Sequence, residues 1–125
     1  MVSQQGHYHA LIKALLPEEV FDYFEIVKVE VTNQLIDVYI DELNLPPADY
    51  SGQKLISKGF QSPIVIQDFP IRRKPVYLHI RRRKWQIKDT GEVISKHWGL
   101  SSQGTRYTKD FATFLKGLFG QLPDK

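Results

Sequence analysis

The chain predicts an α+β fold: a single domain in which an antiparallel β-sheet is flanked by an N-terminal and a C-terminal helix. Three observations predict it. Apolar residues recur at helical spacing near both ends, and the period falls to two between them. With 125 residues, 42% of them hydrophobic, one core can form without covalent staples.

The elements follow in order. Tyr8, Leu11, Ile12, Leu15 and Leu16 keep the i, i+3, i+4 rhythm of an amphipathic helix, which stops before Pro17. Pro17 suits the first turn of a second short helix, with Glu18 and Glu19 near its positive end and Val20, Phe21 and Phe24 facing inward. Val27, Val29 and Val31 then alternate with charges, as do Ile36, Val38 and Ile40 after Thr32-Asn33-Gln34, giving a half-buried antiparallel hairpin. Residues 44–52, with Pro46 and Pro47, form a loop that falls within one domain, between an acidic helix–hairpin half (1–44) and a basic hairpin-plus-helix half (53–122). Residues 56–60, 63–69 and 76–80 read as strands, the last two joined by a turn carrying Arg72, Arg73 and Lys74. Val76, Leu78 and Ile80 share one face, yet Trp85 and Ile87 fall on the opposite parity. A β-bulge, a break or an exchange of buried face therefore lies within residues 81–84. Residues 99–104 read as a loop. Thr105 or Thr108 caps a closing helix with Tyr107, Phe111, Phe114, Leu115 and Leu118 on its core face, ended by Gly120 and Pro123.

Charge is divided unevenly. Residues 1–71 hold four Lys/Arg against ten Asp/Glu, a net of −6, and residues 72–125 hold thirteen against four, a net of +9. An acidic half joined to a basic one suggests that the second half faces a polyanion. The absence of cysteine excludes disulfides, a thiol nucleophile and a zinc ribbon. Neither a leader nor an apolar run of spanning length is evident, so a cytoplasmic protein without membrane partners is expected.

Residues 80–98 concentrate the chemistry. Arg81, Arg82, Arg83 and Lys84 run into Trp85, an Asp89-Thr90-Gly91 turn follows, and the chain returns through Lys96, His97 and Trp98. Cations neutralise phosphates, and flat rings and guanidinium planes lie against sugar and base. The expectation is a DNA-binding basic hairpin. Arg81, Arg82, Arg83, Lys84, Lys88 and Lys96 hold phosphates, Arg72, Arg73 and Lys74 extend the track, and one arginine reads guanine. Trp85 and Trp98 are candidates to pack on nucleic acid; for at least one, burial beneath the hairpin is the structural alternative. In a regular strand Arg81 and Arg83 face outward, while Arg82 pairs with an internal carboxylate or marks the bulge. A charge-guarded edge strand is the bland alternative.

The segments LLPEEVFDYF (15–24), LPPADYSGQKLISKGF (45–60), IQDFPIRRKPVYLHIRRRKW (66–85) and KHWGLSSQGTRYTKDFATFL (96–115) together resemble the N-terminal region of bacterial insertion-sequence transposases of the ISAon type, relatives of the ISL group. The resemblance implies double-stranded DNA at the transposon ends as partner, a nucleoid-associated location, and DNA contact by Arg81–Arg83 and by Arg106 within Thr105-Arg106-Tyr107-Thr108. In the larger group the matching segment adjoins a zinc-binding cysteine knuckle. The cysteines are missing here, and Asp89-Thr90-Gly91 stands where the knuckle would turn. The catalytic ribonuclease-H-like domain of such transposases is a later segment, so the expectation is the N-terminal product of a split or truncated gene, and not an enzyme.

Other chemistries are weaker. His7 and His9 have no third ligand nearby, and His79 and His97 lie in different strands, so no metal and no cofactor are expected. Asp37, Asp41 and Glu42 lack an accompanying nucleophile or base. Ser101-Ser102-Gln103-Gly104 lacks the lysine of a phosphate loop. Two rivals to DNA binding remain. In one, the acidic hairpin (27–41) docks on a separately encoded catalytic transposase subunit. In the other, RNA stacks on exposed aromatics.

Overall fold

In the computed structural model, which describes residues 4–50, 52–96, 98 and 108–119, helix α1 (Gln4–Leu15) ends where Pro17 cannot continue it. Of its predicted stripe, Ile12 is buried, as is Leu16 just past its end, whereas Leu11 and Leu15 are 45% and 58% exposed. The turn after Pro17 is a 3-10 helix (Glu18–Asp22) that buries Val20, and Phe24 belongs to the strand that follows.

Strands β1 (Phe24–Val31) and β2 (Ile36–Glu42) form the expected hairpin. Its loop is closed by Thr32, whose Oγ1 accepts hydrogen bonds from the amides of Gln34 and Leu35, both at 3.1 Å. The register shifts between Ile26 and Lys28, so Val27 bulges out and is 45% exposed. Alternation alone puts Val27 on the buried face beside Val29, but the extra residue reverses it.

Strand β3 (Leu55–Phe60) is followed by β4 (Ile64–Ile71) and β5 (Lys74–Arg81). Arg72 and Arg73 make the two-residue turn between β4 and β5, both at positive φ (51° and 71°), as a type I′ hairpin turn requires. Strands β6 (Arg83–Ile87) and β7 (Val93–Ile94) complete the set. The parity change after Ile80 is a break: Arg82 alone separates β5 from β6, and the two lie in different sheets. One is four-stranded, β1-β2-β5-β4; the other is three-stranded, β3-β6-β7.

Every pairing is antiparallel except β2 with β5, which run parallel from Ile36↔Val76 to Asp41↔Arg81. The all-antiparallel expectation fails there because the two hairpins lie side by side with their most apolar strands adjacent. Ile36, Val38, Ile40, Val76, Leu78 and Ile80 thereby occupy the sheet centre, each at most 6% exposed.

Helix α2 (Lys109–Phe119) packs over this sheet together with α1. Thr108 is its N-cap, accepting from the Phe111 amide at 3.2 Å. Phe111, Phe114, Leu115 and Leu118 are buried as their spacing predicts. Tyr107, Gly120 and Pro123, like the alternative cap Thr105, lie outside the described residues. The architecture is α+β, with an N-terminal and a C-terminal helix. A smaller cluster, Trp85, Ile87 and Ile94 with Tyr50 and Leu55 against it, supports the three-stranded sheet.

Candidate nucleic-acid interface

The three consecutive arginines join the two sheets. Arg81 donates through Nε and Nη2 to both oxygens of Asp41, at 2.7 and 2.6 Å. That pairing raises the pKa of its guanidinium. Arg82 donates to Gln61 Oε1 at 3.2 Å, its carbonyl accepts from the Gln61 amide at 2.7 Å, and burial pushes its pKa down. Arg83 donates from its backbone N–H to Glu42 Oε1 (2.7 Å) and from Nε to the Glu42 carbonyl (2.8 Å). The Phe60 ring has the Arg81 guanidinium 4.0 Å and the Arg83 guanidinium 4.6 Å from its centroid.

The three arginines of the expected phosphate track therefore each carry contacts within the fold, and the Arg81 side chain is still 45% exposed. Arg81 pairs with Asp41 because the parallel β2–β5 register sets it there, and Arg82 lies where the charge of the buried Glu42 acts on it. Arg82 is the link at the break.

The aromatic expectation is corrected. Trp85 is 4% exposed and Trp98 is 2% exposed, so neither can stack on a base. Trp98 stacks on Phe24 at 5.4 Å and meets Tyr23 edge-on at 5.2 Å. Lys96 lies 5.1 Å over Tyr23 and 4.9 Å over Trp98, half-buried against the core. Arg72 and Arg73 are exposed at the far end of β5, roughly 23 Å from Arg81 at the rise of a strand, so they do not extend its track. Lys74 is half-buried at the start of β5. Arg106 and His97 lie outside the described residues. Among the histidines, His79 Nε2 lies 2.7 Å from Asp37 Oδ1, and its ring stacks on Tyr39 at 4.5 Å.

Of the predicted cations, Arg72, Arg73, Arg81 and Lys88 are exposed and Lys84 is half-buried; Lys84 and Lys88 gain partners that the basic run does not reveal. In β6, Trp85 and Ile87 face the small core, so Lys84, Gln86 and Lys88 point to the other side. The register Leu55↔Ile87, Ile56↔Gln86, Ser57↔Trp85 puts Lys54, Ile56 and Lys58 on that same side. The Lys88 amide donates to the Lys54 carbonyl at 2.9 Å, fixing these two lysines opposite each other. Gly59, at φ +85°, makes the register shift that follows Lys58. Val93, opposite Gln86, completes the face.

The outer face of the three-stranded sheet therefore carries Lys54, Lys58, Lys84 and Lys88 around Ile56, Gln86 and Val93. Among the described residues no carboxylate pairs with any of the four lysines. Lys54 and Lys58 belong to the half of the chain with net negative charge, which hid them. Their signal was the alternation Lys54-x-Ile56-x-Lys58.

No protein-family model, curated protein or solved structure matches this chain. Among the described residues no helix is long and apolar enough to cross a membrane.

Proposed function

We propose that this chain is the DNA-binding N-terminal module of an insertion-sequence transposase, acting on double-stranded DNA at the element ends through the lysine face of the three-stranded sheet. The observation that carries the reading is four unpaired lysines on one sheet face, two of them directly opposite each other. Like charges across a ladder destabilise a sheet, and a polyanion on that face relieves the repulsion. The transposase context rests on the resemblance of the segments at 15–24, 45–60, 66–85 and 96–115. The catalytic step belongs to another domain or subunit. The rival reading, docking through the acidic hairpin, draws less support, because Glu30, Asp37 and Asp41 of that hairpin face Lys28, His79 and Arg81.

Salt titration with a duplex tests the reading. Four lysines on phosphates give a slope of log K against log salt of about −3.6, and Lys84→Ala with Lys88→Ala reduces it by about 2. A flat titration, or a slope unchanged in the double variant, overturns it. Salt-insensitive capture of a catalytic subunit would favour the rival.

A further inference from the structure

The centre of the lysine-rimmed face is Gln86, with Ile56 opposite on β3 and Val93 opposite on β7. Both apolar neighbours are large and open to solvent, 42% and 54% exposed. The Gln86 carboxamide is held in place: its Nε2 donates to the Gly91 carbonyl at 3.1 Å. Gly91, at φ +76°, shapes the turn that presents this carbonyl, a conformation glycine adopts without strain. A carboxamide nitrogen has two N–H donors and its oxygen accepts, so one donor and one acceptor remain side by side for a ligand.

Dimensions select the ligand. Lys84 and Lys88 stand four residues apart on one strand, about 13 Å at the rise of an antiparallel strand, and Lys54 and Lys58 repeat that spacing on β3. The major groove of B-form DNA is about 12 Å wide, with phosphates along both lips. A sheet laid on the groove sets one lysine pair on each lip and Gln86 over the base edges. A-form RNA has a major groove too narrow for such a face, and single strands are bound by stacking on open rings. Here both tryptophans are buried, and the Phe60 ring is covered by Arg81 and Arg83.

We infer that this face docks in the major groove of B-form DNA and that Gln86 reads an adenine, with Ile56 and Val93 against thymine methyl groups. The inference rests on the duplex-binding function proposed above and adds a base-reading residue to it. Gln86 accepts from the adenine N6 amino group and donates to N7, the bidentate pairing that geometry allows a carboxamide. The lysines position the duplex without reading it.

The test takes the full chain through selection on a random-sequence duplex pool, followed by fluorescence anisotropy on the enriched duplex. Enrichment of a site containing A·T pairs is expected. Replacing its read adenine by 7-deazaadenine, which lacks N7, should weaken the native protein about tenfold and Gln86→Ala less than about twofold. The variant should keep the native salt slope and melting temperature. If random duplex binds but no sequence is enriched, or if 7-deazaadenine weakens both proteins equally, the inference is overturned while duplex binding stands. Preference for duplex RNA or single strands over B-form DNA overturns it too. If the native protein binds no duplex at any salt, the underlying function fails with it.

Discussion

Arg81 holds Asp41 through two short hydrogen bonds, and Asp41 is only 7% exposed. Removing the guanidinium leaves a nearly buried carboxylate without its donor, which costs about 1–3 kcal/mol. Arg81→Ala should therefore lower the melting temperature by several degrees and leave the salt slope of DNA binding unchanged. A loss of slope with an unchanged melting temperature would return Arg81 to the phosphate track. Glu42 makes a pH prediction. Burial raises its pKa, opposed by the Arg83 N–H and by the charges of Lys96, Arg82 and Arg83. Folding thus favours the protonated form. Its contribution is complete below the unfolded value near 4.5 and is lost as pH rises through the folded value. Glu42→Gln does not titrate, so its stability relative to the native protein should rise from about pH 4 to about pH 7 in denaturant titrations. A relative stability that falls over that range would mean the surrounding cations outweigh desolvation.

At the scale of elements, each helix is set by its ends and by the face it buries. Thr108 caps α2 through its Oγ1 and also donates its own N–H to Glu19 Oε1 at 2.9 Å, tying the helix start to the 3-10 turn. Thr108→Ala should cost about 1 kcal/mol and Thr108→Ser much less, read from chemical denaturation. Equal losses in both would place the stabilisation in the threonine methyl instead of the cap. Helix α1 spends two of its apolar positions on solvent, Leu11 and Leu15, while Ile12 and the following Leu16 are buried. Strand β1 uses its bulge to keep Phe24 and Val29 buried although an odd number of positions separates them. The same device recurs at Gly59 in β3, immediately after Lys58 of the lysine face.

The whole molecule is two sheets of unequal strength. The four-stranded sheet and its helices share a cluster of sixteen buried apolar residues, whereas the three-stranded sheet has Trp85, Ile87 and Ile94. Local opening follows buried contact. In native-state hydrogen exchange the amides of β2 and β5 should therefore be the slowest, and those of β3 and β7 should exchange well before them. Uniform protection across both sheets would show a single cooperative unit. The joint between the sheets is polar: Asp41 and Glu42 at the end of β2 hold Arg81 and Arg83, and Gln61 holds Arg82. These contacts fix how the three-stranded sheet, with its lysine face, is attached to the larger sheet.

Periodicity by itself determined the two helices, the β1–β2 hairpin and the parity change after Ile80, and it narrowed the cap of α2 to Thr105 or Thr108. All of these depend on residues close in sequence, where spacing and local hydrogen bonding decide. The basic run was legible as well, but not which contacts its cations make. Only the tertiary structure decided that Arg81, Arg82 and Arg83 brace the joint between the sheets and that Lys54, Lys58, Lys84 and Lys88 share one sheet face. That outcome depends on the parallel β2–β5 register, which brings Asp41 to Arg81 across forty residues. It depends equally on the β3–β6 pairing, which sets Lys54 and Lys58 beside Lys84 and Lys88. Local propensity carries no information about which distant strand becomes a neighbour. That choice follows from which arrangement buries the most apolar strands together, and the fate of each charge follows from that choice.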